Sequence, residues 1–301
     1  MRKRLRKTFA DALPANGLAG VYNAFDIVGD IAISKIPNAS IVNVEQLAEA
    51  IMNRHKNVKT VFVQETGVRG CFRLRGLTHV AGENRTCTVH KESGCSFMVD
   101  VEKCYFSPRL SGERMRIAQL VRRDETVVNM FAGVGCFSII VAKHMNGAKV
   151  FSIDINPAAV QFMSDNVRLN RVYGKVIPLL GDSKEIVEHK LRCVADRVLL
   201  PLPEKALEYL PSAILALKPT GGWIHYFDFE HAHKSESPVE KSKLKVAEKL
   251  DELGVDWEFG FSRVVRKVGP NWYQVVLDIQ LPRLHTNLNN YSHYVSMREL
   301  E

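Results

Sequence analysis

The chain has 301 residues, 46% hydrophobic and 25% charged, the mix of a globular protein with enough core for two domains. That composition excludes a disordered or collagen-like chain, and no run approaches the ~18 consecutive apolar residues of a membrane span. Lys and Arg number 41 against 33 Asp and Glu, a net charge of +8; five of the cations (Arg2, Lys3, Arg4, Arg6, Lys7) stand in the first seven residues, so the excess reads as a basic arm for a polyanion on a mildly basic body.

The arm lacks the apolar segment of a secretory signal, and its acid-free first ten residues leave a mitochondrial presequence open. Behind it, Phe25–Ile36 alternates apolar and polar residues about Gly29-Asp30 and predicts a hairpin. Val44–Arg54 has helical spacing, and Thr60–Gln64 and Thr86–His90 are short β-branched strands. Residues 1–105 therefore read as a small α+β domain. The six cysteines (Cys71, Cys87, Cys95, Cys104, Cys136, Cys193) form no Cys-x-x-Cys pair. They read as reduced packing thiols, which implies a cytoplasmic address and no metal site.

From Phe106 strands and helices alternate, the signature of a mainly parallel α/β sheet over residues 106–301. Helix Glu113–Arg122 leads into strand Thr126–Met130, helix Phe137–His144 and strand Val150–Ile155. Helix Ala158–Leu169 follows with Pro157 in its first turn, then strands Val176–Leu180 and Arg197–Leu200, helix Ala206–Leu217 and strand Gly222–Phe227. Ser237-Pro238 starts a helix running to Leu253. Strands Phe259–Val268 and Trp272–Gln280, joined through Gly-Pro-Asn, close the sheet antiparallel.

The chemistry concentrates at the first strand–turn–helix of this second domain. Glycines in Phe131-Ala132-Gly133-Val134-Gly135 let backbone approach a ligand, and the following helix presents free N–H groups. The next strand ends in Asp154, 19 residues beyond Gly135, near the spacing of a ribose-hydroxyl acceptor. A dinucleotide site would want a third glycine, and a phosphate-binding loop would want Gly-Lys-Ser/Thr; neither is here. Asp182, after the third strand, is either a second ligand acceptor or a turn cap.

The Phe-Ala-Gly-Val-Gly turn resembles the first motif of Rossmann-like class I methyltransferases that use S-adenosylmethionine. The resemblance implies that Asp154 takes the ribose hydroxyls and Asp182 the adenine amino group, with Asn129, Ile155 and Pro201 also lining the cofactor site. More specifically, the sequence resembles the tRNA guanine-37 N1-methyltransferases and their wyosine-pathway relatives. The matching strings are Phe-Asp-Ile-Val-Gly-Asp at 25–30, Gly-Glu-Asn-Arg-Thr at 82–86, Phe-Ser-Pro-Arg-Leu-x-x-Glu-Arg at 106–114, Asp-Ile-Asn-Pro at 154–157, Asp-Arg-Val-x-x-x-Leu-Pro at 196–203 and Gly-Gly-x-Ile-His-Tyr at 221–226.

This resemblance implies methylation of N1 of guanosine 37, beside the tRNA anticodon, by a protein expected to be monomeric. Glu113 maps onto the base that removes the N1 proton, and Arg73, with Arg75 as its neighbour, onto the arginine that stabilises charge on O6. Tyr105 and Arg109 map onto groups that hold the methionine end of the cofactor. Read without the resemblance, Glu113 is simply the i,i+4 partner of Arg109. Three departures stand out. Asn129 replaces the usual Asp, Pro201 replaces an Asn and so offers only a carbonyl, and the chain is expected to lack the extra N-terminal domain of many relatives. The basic arm then either touches phosphates or is a solvated tail. The alternatives are methyl or aminocarboxypropyl transfer to a tricyclic wyosine precursor at position 37, and an inactive RNA-binding relative.

Overall fold

A computed structural model describes residues 25–35, 44–65 and 67–283; the basic arm Arg2–Lys7 lies outside them. Strands β1 (Phe25–Val28) and β2 (Ile31–Lys35) pair antiparallel around Gly29-Asp30, as the alternation predicts. Gly29 has φ +58°, and a Cβ there would sit 2.2 Å from Thr88 Oγ1, so this turn admits no side chain. Helix α1 (Val44–Arg54) buries Leu47, Ala48 and Ile51 and crosses over so that β3 (Thr60–Gln64) lies parallel to β2. Strand β4 (Leu77–Gly82) completes a four-stranded sheet in the order β1-β2-β3-β4. Its sequence, Leu-Thr-His-Val-Ala-Gly, has no clean alternation, which is why sequence patterning passes over it.

Strands β5 (Cys87–Glu92) and β6 (Cys95–Asp100) form a separate hairpin. Its β6 edge is covered by a helix of the second unit, α4 (Pro157–Leu169), in an unusual way. Asn166 accepts from Met98 N (2.6 Å) and donates to Met98 O (3.0 Å). Asn170, just past the helix end, does the same with Ser96 N (2.8 Å) and Ser96 O (2.7 Å). Two side-chain amides four residues apart thus act as a surrogate strand, and the edge is left with no unpaired groups at these positions.

The second unit opens with a 3-10 turn (Pro108–Leu110) and α2 (Ser111–Leu120). Strands β7 (Thr126–Asn129), β8 (Lys149–Asp154) and β9 (Val176–Leu180) alternate with α3 (Cys136–His144), α4 and α5 (Ser183–Lys190). Next come β10 (Arg197–Leu200), α6 (Ala206–Ala216), β11 (Gly222–His231), α7 (Pro238–Glu252), β12 (Glu258–Gly269) and β13 (Trp272–Leu281). The sheet order is β12-β13-β11-β10-β7-β8-β9. Strands β9, β8, β7, β10 and β11 run parallel, and β13 and β12 return antiparallel.

Alternate side chains feed two cores. Val127, Val150 and Leu199 pack with Ile117, Ile139 and Ile140 on one face. Val128, Val198 and Leu200 pack with Leu210, Val246 and Leu250 on the other, as strands buried on both sides require. This is the expected Rossmann-like, mixed and mainly parallel sheet preceded by an α+β unit. No helix among the described residues is long and apolar enough to cross a membrane.

The sequence strings singled out above meet in space. Asp26 accepts from Arg109 Nε at 2.5 Å and lies 3.9 Å from Arg75. Asp30 binds Arg85 (2.5 and 3.0 Å) and Thr88 (2.6 Å). Glu92 and Arg114, both nearly buried, pair at 2.5 and 2.7 Å and tie the hairpin to α2.

Candidate active site

Open α/β sheets bind ligands beyond the carboxyl ends of their strands, where loops diverge. Here those ends deliver, in order, the 131–135 turn after β7, Asp154 at the end of β8, Gly181-Asp182-Ser183 after β9, and Pro201-Leu202 after β10. All four border one cleft of ≈ 310 Å³, within the size range of a small-molecule site. Tyr105 forms part of its wall. The far wall comes from the small unit. Arg69 and Leu74 close a tight turn with paired backbone bonds of 2.9 and 3.0 Å, and Cys71, Phe72 and Arg73 project from it into the cleft. Arg73 adopts φ +56°, a left-handed conformation that a non-glycine residue holds only where its surroundings enforce it.

The turn itself is held by the acid. Gly133 N donates to Asp154 Oδ2 (2.7 Å) and Asn156 N to Oδ1 (2.9 Å). Burial pushes the Asp154 carboxyl up from the ordinary carboxylate range, opposed by these two backbone bonds. Gly133, at φ +56°, has only Tyr105 O, 3.7 Å away, near the place its Cβ would occupy. Gly135, at φ +91°, would drive a Cβ to 2.9 Å from Met163 Cγ. The first glycine therefore leaves space open toward the cleft, and the second leaves space for the core.

Asp182 is both things the sequence allowed. Its Oδ1 caps α5 through Lys184 N (2.7 Å), and its Oδ2 accepts from the Tyr209 hydroxyl (2.7 Å) while the residue borders the cleft. Burial, then the Asp182 bond, raises the Tyr209 hydroxyl pKa, and the ring packs edge-on to Phe131 with centroids 4.9 Å apart. Asn156 and Leu202, within the matching strings, also line the cleft, as do Tyr209, Lys205 and Phe72, which were not singled out in the sequence. Tyr209 reads there as one more apolar helix position, and nothing in its spacing marks it.

Of the two candidate arginines, Arg73 lies in the cleft. Its guanidinium stacks 4.3 Å from the centre of the Tyr105 ring and donates to Glu204 Oε1 (2.9 Å). Arg75 turns instead to Phe106 O (2.9 Å) and Asp26. Gly133, Asp154, Ile155, Asp182, Pro201, Phe131 and Tyr105 all border the cleft; Ala132, Val134, Gly135, Asn129, Arg109 and Glu113 do not. Ala132 N bonds Ile153 O (2.8 Å), and Val134 O accepts from Asn166 (3.1 Å), so these two brace the turn from behind. Asn129, fully buried, donates to Ser138 Oγ (3.0 Å). Arg109 pairs with Asp26 rather than with Glu113.

Glu113 lies at the head of a buried charge chain. Its side chain is 1% exposed. One carboxylate oxygen accepts from Arg116 Nε (2.8 Å) and the other from Arg263 Nε (2.8 Å) and a second Arg263 nitrogen. Arg116 continues to Asp278 (2.5 and 3.1 Å), Asp278 to His225 Nδ1 (2.6 Å), and His225 Nε2 to Arg197 (2.8 Å), which ends on Glu125 (3.0 Å). Despite its burial, Asp278 is drawn down to about 2 by His225 and Arg116. Burial depresses the His225 imidazole, so that ring is neutral at pH 7 and the chain carries fixed charges on either side of it.

The residues present fit an adenosine-bearing cofactor. A buried carboxylate (Asp154) at the second strand end, an open glycine (Gly133) and an acid–tyrosine pair (Asp182 and Tyr209) at the third strand end supply acceptors for ribose hydroxyls and an adenine edge. No group of three or more His, Cys, Asp or Glu among the described residues could hold a metal ion.

Comparison with known proteins gives the same picture. The family described as TRM5/TYW2 methyltransferase domain matches residues 88–255, and the family described as TYW2 N-terminal domain matches residues 5–86. The tRNA (guanine(37)-N(1))-methyltransferase Trm5b of Pyrococcus abyssi is 40% identical over 258 residues, 86% of this chain and 74% of that protein. Its crystal structure superposes with a TM-score of 0.80 over 93% of this chain and 81% of its own. The tRNA 4-demethylwyosine(37)-methyltransferase Taw21 of Saccharolobus solfataricus is 38% identical over 86% of this chain and 94% of its own. A solved complex of aTrm5 with tRNALeu matches with a TM-score of 0.78 and 34% identity, over 93% of this chain and 79% of its own.

Proposed function

The chain belongs to the TRM5/TYW2 methyltransferase family, and from that premise we propose that it transfers the methyl group of S-adenosylmethionine to N1 of guanosine 37 in tRNA. The observation that carries the reading is the convergence of Gly133, Asp154, Asp182 and Pro201 with Arg73 and Tyr105 on one cleft. Strand ends of the parallel sheet form its floor, and a loop of the small unit reaches over it.

In this reading the 131–135 turn, Asp154 and Asp182 hold the cofactor, with Tyr209 orienting Asp182. When bound, the cofactor supplies an electrophilic methyl carbon on a sulfonium. Arg73, over the Tyr105 ring, donates in this reading to O6 of a guanine entering beside Pro201, where charge grows as N1 loses its proton. Glu113 is the proton acceptor. Its carboxylate is clasped by Arg116 and Arg263, so accepting a proton requires one clasp to open. Arg263, with a 46% exposed side chain, is the one free to swing, and a phosphate of the RNA is a competing partner for it. Arg75, Arg109 and Arg266 add positive charge at the seam around Asp26 and Ser107, where an RNA backbone would lie. The six cysteines form no disulfide, which supports a cytoplasmic setting.

A second reading, methylation of a 4-demethylwyosine at the same position, is favoured by Pro201. It borders the cleft without the side-chain amide that would grip a guanine edge. Incubation with labelled cofactor and tRNA transcripts bearing G or A at position 37 tests the first reading, with label entering only the G37 transcript. Label entering neither, with calorimetry showing no cofactor binding, points to an inactive RNA-binding protein.

A further inference from the structure

A second cavity of ≈ 470 Å³ opens beside the cleft, lined by Pro203, Glu204, Tyr226, Asp228, Lys245 and Trp272 among others. The two are neighbours by construction. Pro201 and Leu202 line the cleft, whereas Pro203 and Glu204 line the second cavity. Glu204 is also the residue that Arg73 reaches across to bind. In the sheet, Tyr226 is in register with Leu200, the last residue before that Pro-Leu-Pro segment. The second cavity therefore also sits at the carboxyl end of the parallel strands, the position where such sheets receive ligands.

The polar groups at its wall are incompletely matched. Tyr226 is 0% exposed, yet its hydroxyl has no hydrogen-bond partner among the described residues. A buried hydroxyl without a partner is costly and is a feature that a bound ligand can satisfy. Beside it, Asp228 is 3% exposed and accepts from Ser242 (2.8 Å) and Lys245 (2.6 Å). Lys245 also reaches Glu230 (3.1 Å). Apart from Glu204, the remaining lining is apolar. It includes Pro203 and Trp272, the latter 45% exposed and packed edge-on to His231.

We propose that this cavity receives the base of the nucleotide adjoining the target in the anticodon loop, stacked on Trp272 with its edge toward the Tyr226 hydroxyl and Asp228. A nucleobase combines an apolar π-face with an edge of donors and acceptors, which matches a cavity lined by both an exposed indole and buried polar groups. Extruding a target base into a cleft breaks its stack with its neighbours, and the released neighbour then needs a surface within one nucleotide's reach. This inference rests on the tRNA reading above and adds to it a site for a second base.

The test is the affinity of the full-length protein for anticodon stem-loop RNAs that carry either a normal base or an abasic residue at position 36 or 38. Trp272→Ala should weaken binding of the intact loop about tenfold, the scale of one base–aromatic stack. It should cause no further loss on a loop lacking the base that occupies the cavity, and cofactor affinity should stay unchanged. Tyr226→Phe removes a hydroxyl that has no partner among the described residues. It should leave thermal stability equal or higher while weakening the intact loop about threefold. If both variants weaken intact and abasic loops equally, or leave both unchanged, the cavity holds no base and the inference fails. Methyl transfer is scored separately. A protein that forms 1-methylguanosine with no such coupling loses only this inference, and one that shows the coupling without methylating keeps it and loses the proposed reaction.

Discussion

Arg263, half-exposed on the sheet-edge strand β12, grips one oxygen of the buried Glu113 carboxylate through two of its nitrogens, while Arg116 holds the other oxygen. Two guanidiniums hold the carboxylate in one orientation and occupy the lone pairs a proton would need. The two partners are not equivalent: Arg116 is pinned from behind by Asp278, whereas Arg263 makes no other ion pair among the described residues.

Substitutions at this pair should therefore separate. Glu113→Gln keeps the shape and one acceptor oxygen but turns an amide NH2 toward one of the two guanidiniums; it is expected to slow single-turnover methyl transfer by ~10²–10⁴, the range for loss of a general base, with cofactor affinity unchanged. Arg263→Ala should leave the chemical step at saturating tRNA as fast as wild type or a few-fold faster, and raise the tRNA concentration needed. Rapid-quench measurement of both variants checks this; equal collapse of the chemical step in both would make Arg263 part of the chemistry rather than a clasp.

The glycines of the turn should fail in different ways. Gly133→Ala incurs ~1–2 kcal/mol for a side chain in the left-handed region and meets only Tyr105 O at 3.7 Å, so the protein should fold and bind cofactor more weakly. Gly135→Ala meets Met163 at 2.9 Å and Ile139 at 3.1 Å and should lose stability by ~1–3 kcal/mol beyond that strain. Thermal melts paired with cofactor calorimetry distinguish the two; an unaltered cofactor affinity in folded Gly133→Ala would make that turn purely structural.

Asn166 should be among the most sensitive polar positions. It makes three bonds to backbone, at Met98 N, Met98 O and Val134 O, with no exposure. Asn166→Asp removes the two donors and turns a carboxylate toward two carbonyls, so it should destabilise by ~3 kcal/mol or more. Asn166→Asp should also cost more than Asn166→Ala. Chemical denaturation of both variants gives the order directly.

The buried charge chain sets the acid limit. His225 is neutral in the folded protein because burial lowers its pKa from an ordinary 6.5. The unfolded chain therefore binds a proton that the folded chain refuses, and stability falls as pH drops below about 6.5. Asp278 is held down to about 2 by His225 and Arg116 in spite of its burial. Its contribution is intact above the unfolded carboxylate range and is lost as pH falls from about 4 toward 2. Denaturation midpoints across pH 3–8 should show the first loss near pH 6, and Asp278→Asn should flatten the second.

Much of this was legible in sequence where local chemistry dictates it. The Gly29-Asp30 hairpin, the Pro157 and Ser237-Pro238 helix starts and the strand–turn–acid order from Thr126 to Asp154 follow from turn geometry, first-turn residues and period. What escaped depends on contacts distant in the chain. Strand β4 has no alternation because only its pairing with β3 makes it a strand. The β6 edge is capped by asparagines some 70 residues away. Tyr209 enters the cleft because α6 is packed over the β10 end, and Arg109 turns to Asp26 because the small unit brings a carboxylate closer to it than Glu113. Spacing along one helix could not reveal that.

The central claim is tested most directly by nucleoside analysis of an unmodified tRNA transcript bearing G37, after incubation with the protein and S-adenosylmethionine, with the modified position mapped by primer extension. One equivalent of 1-methylguanosine, stopping extension at position 37, is the expected result. Absence of 1-methylguanosine from this transcript, with product formed only on tRNA carrying a tricyclic wyosine precursor or on none at all, would contradict it.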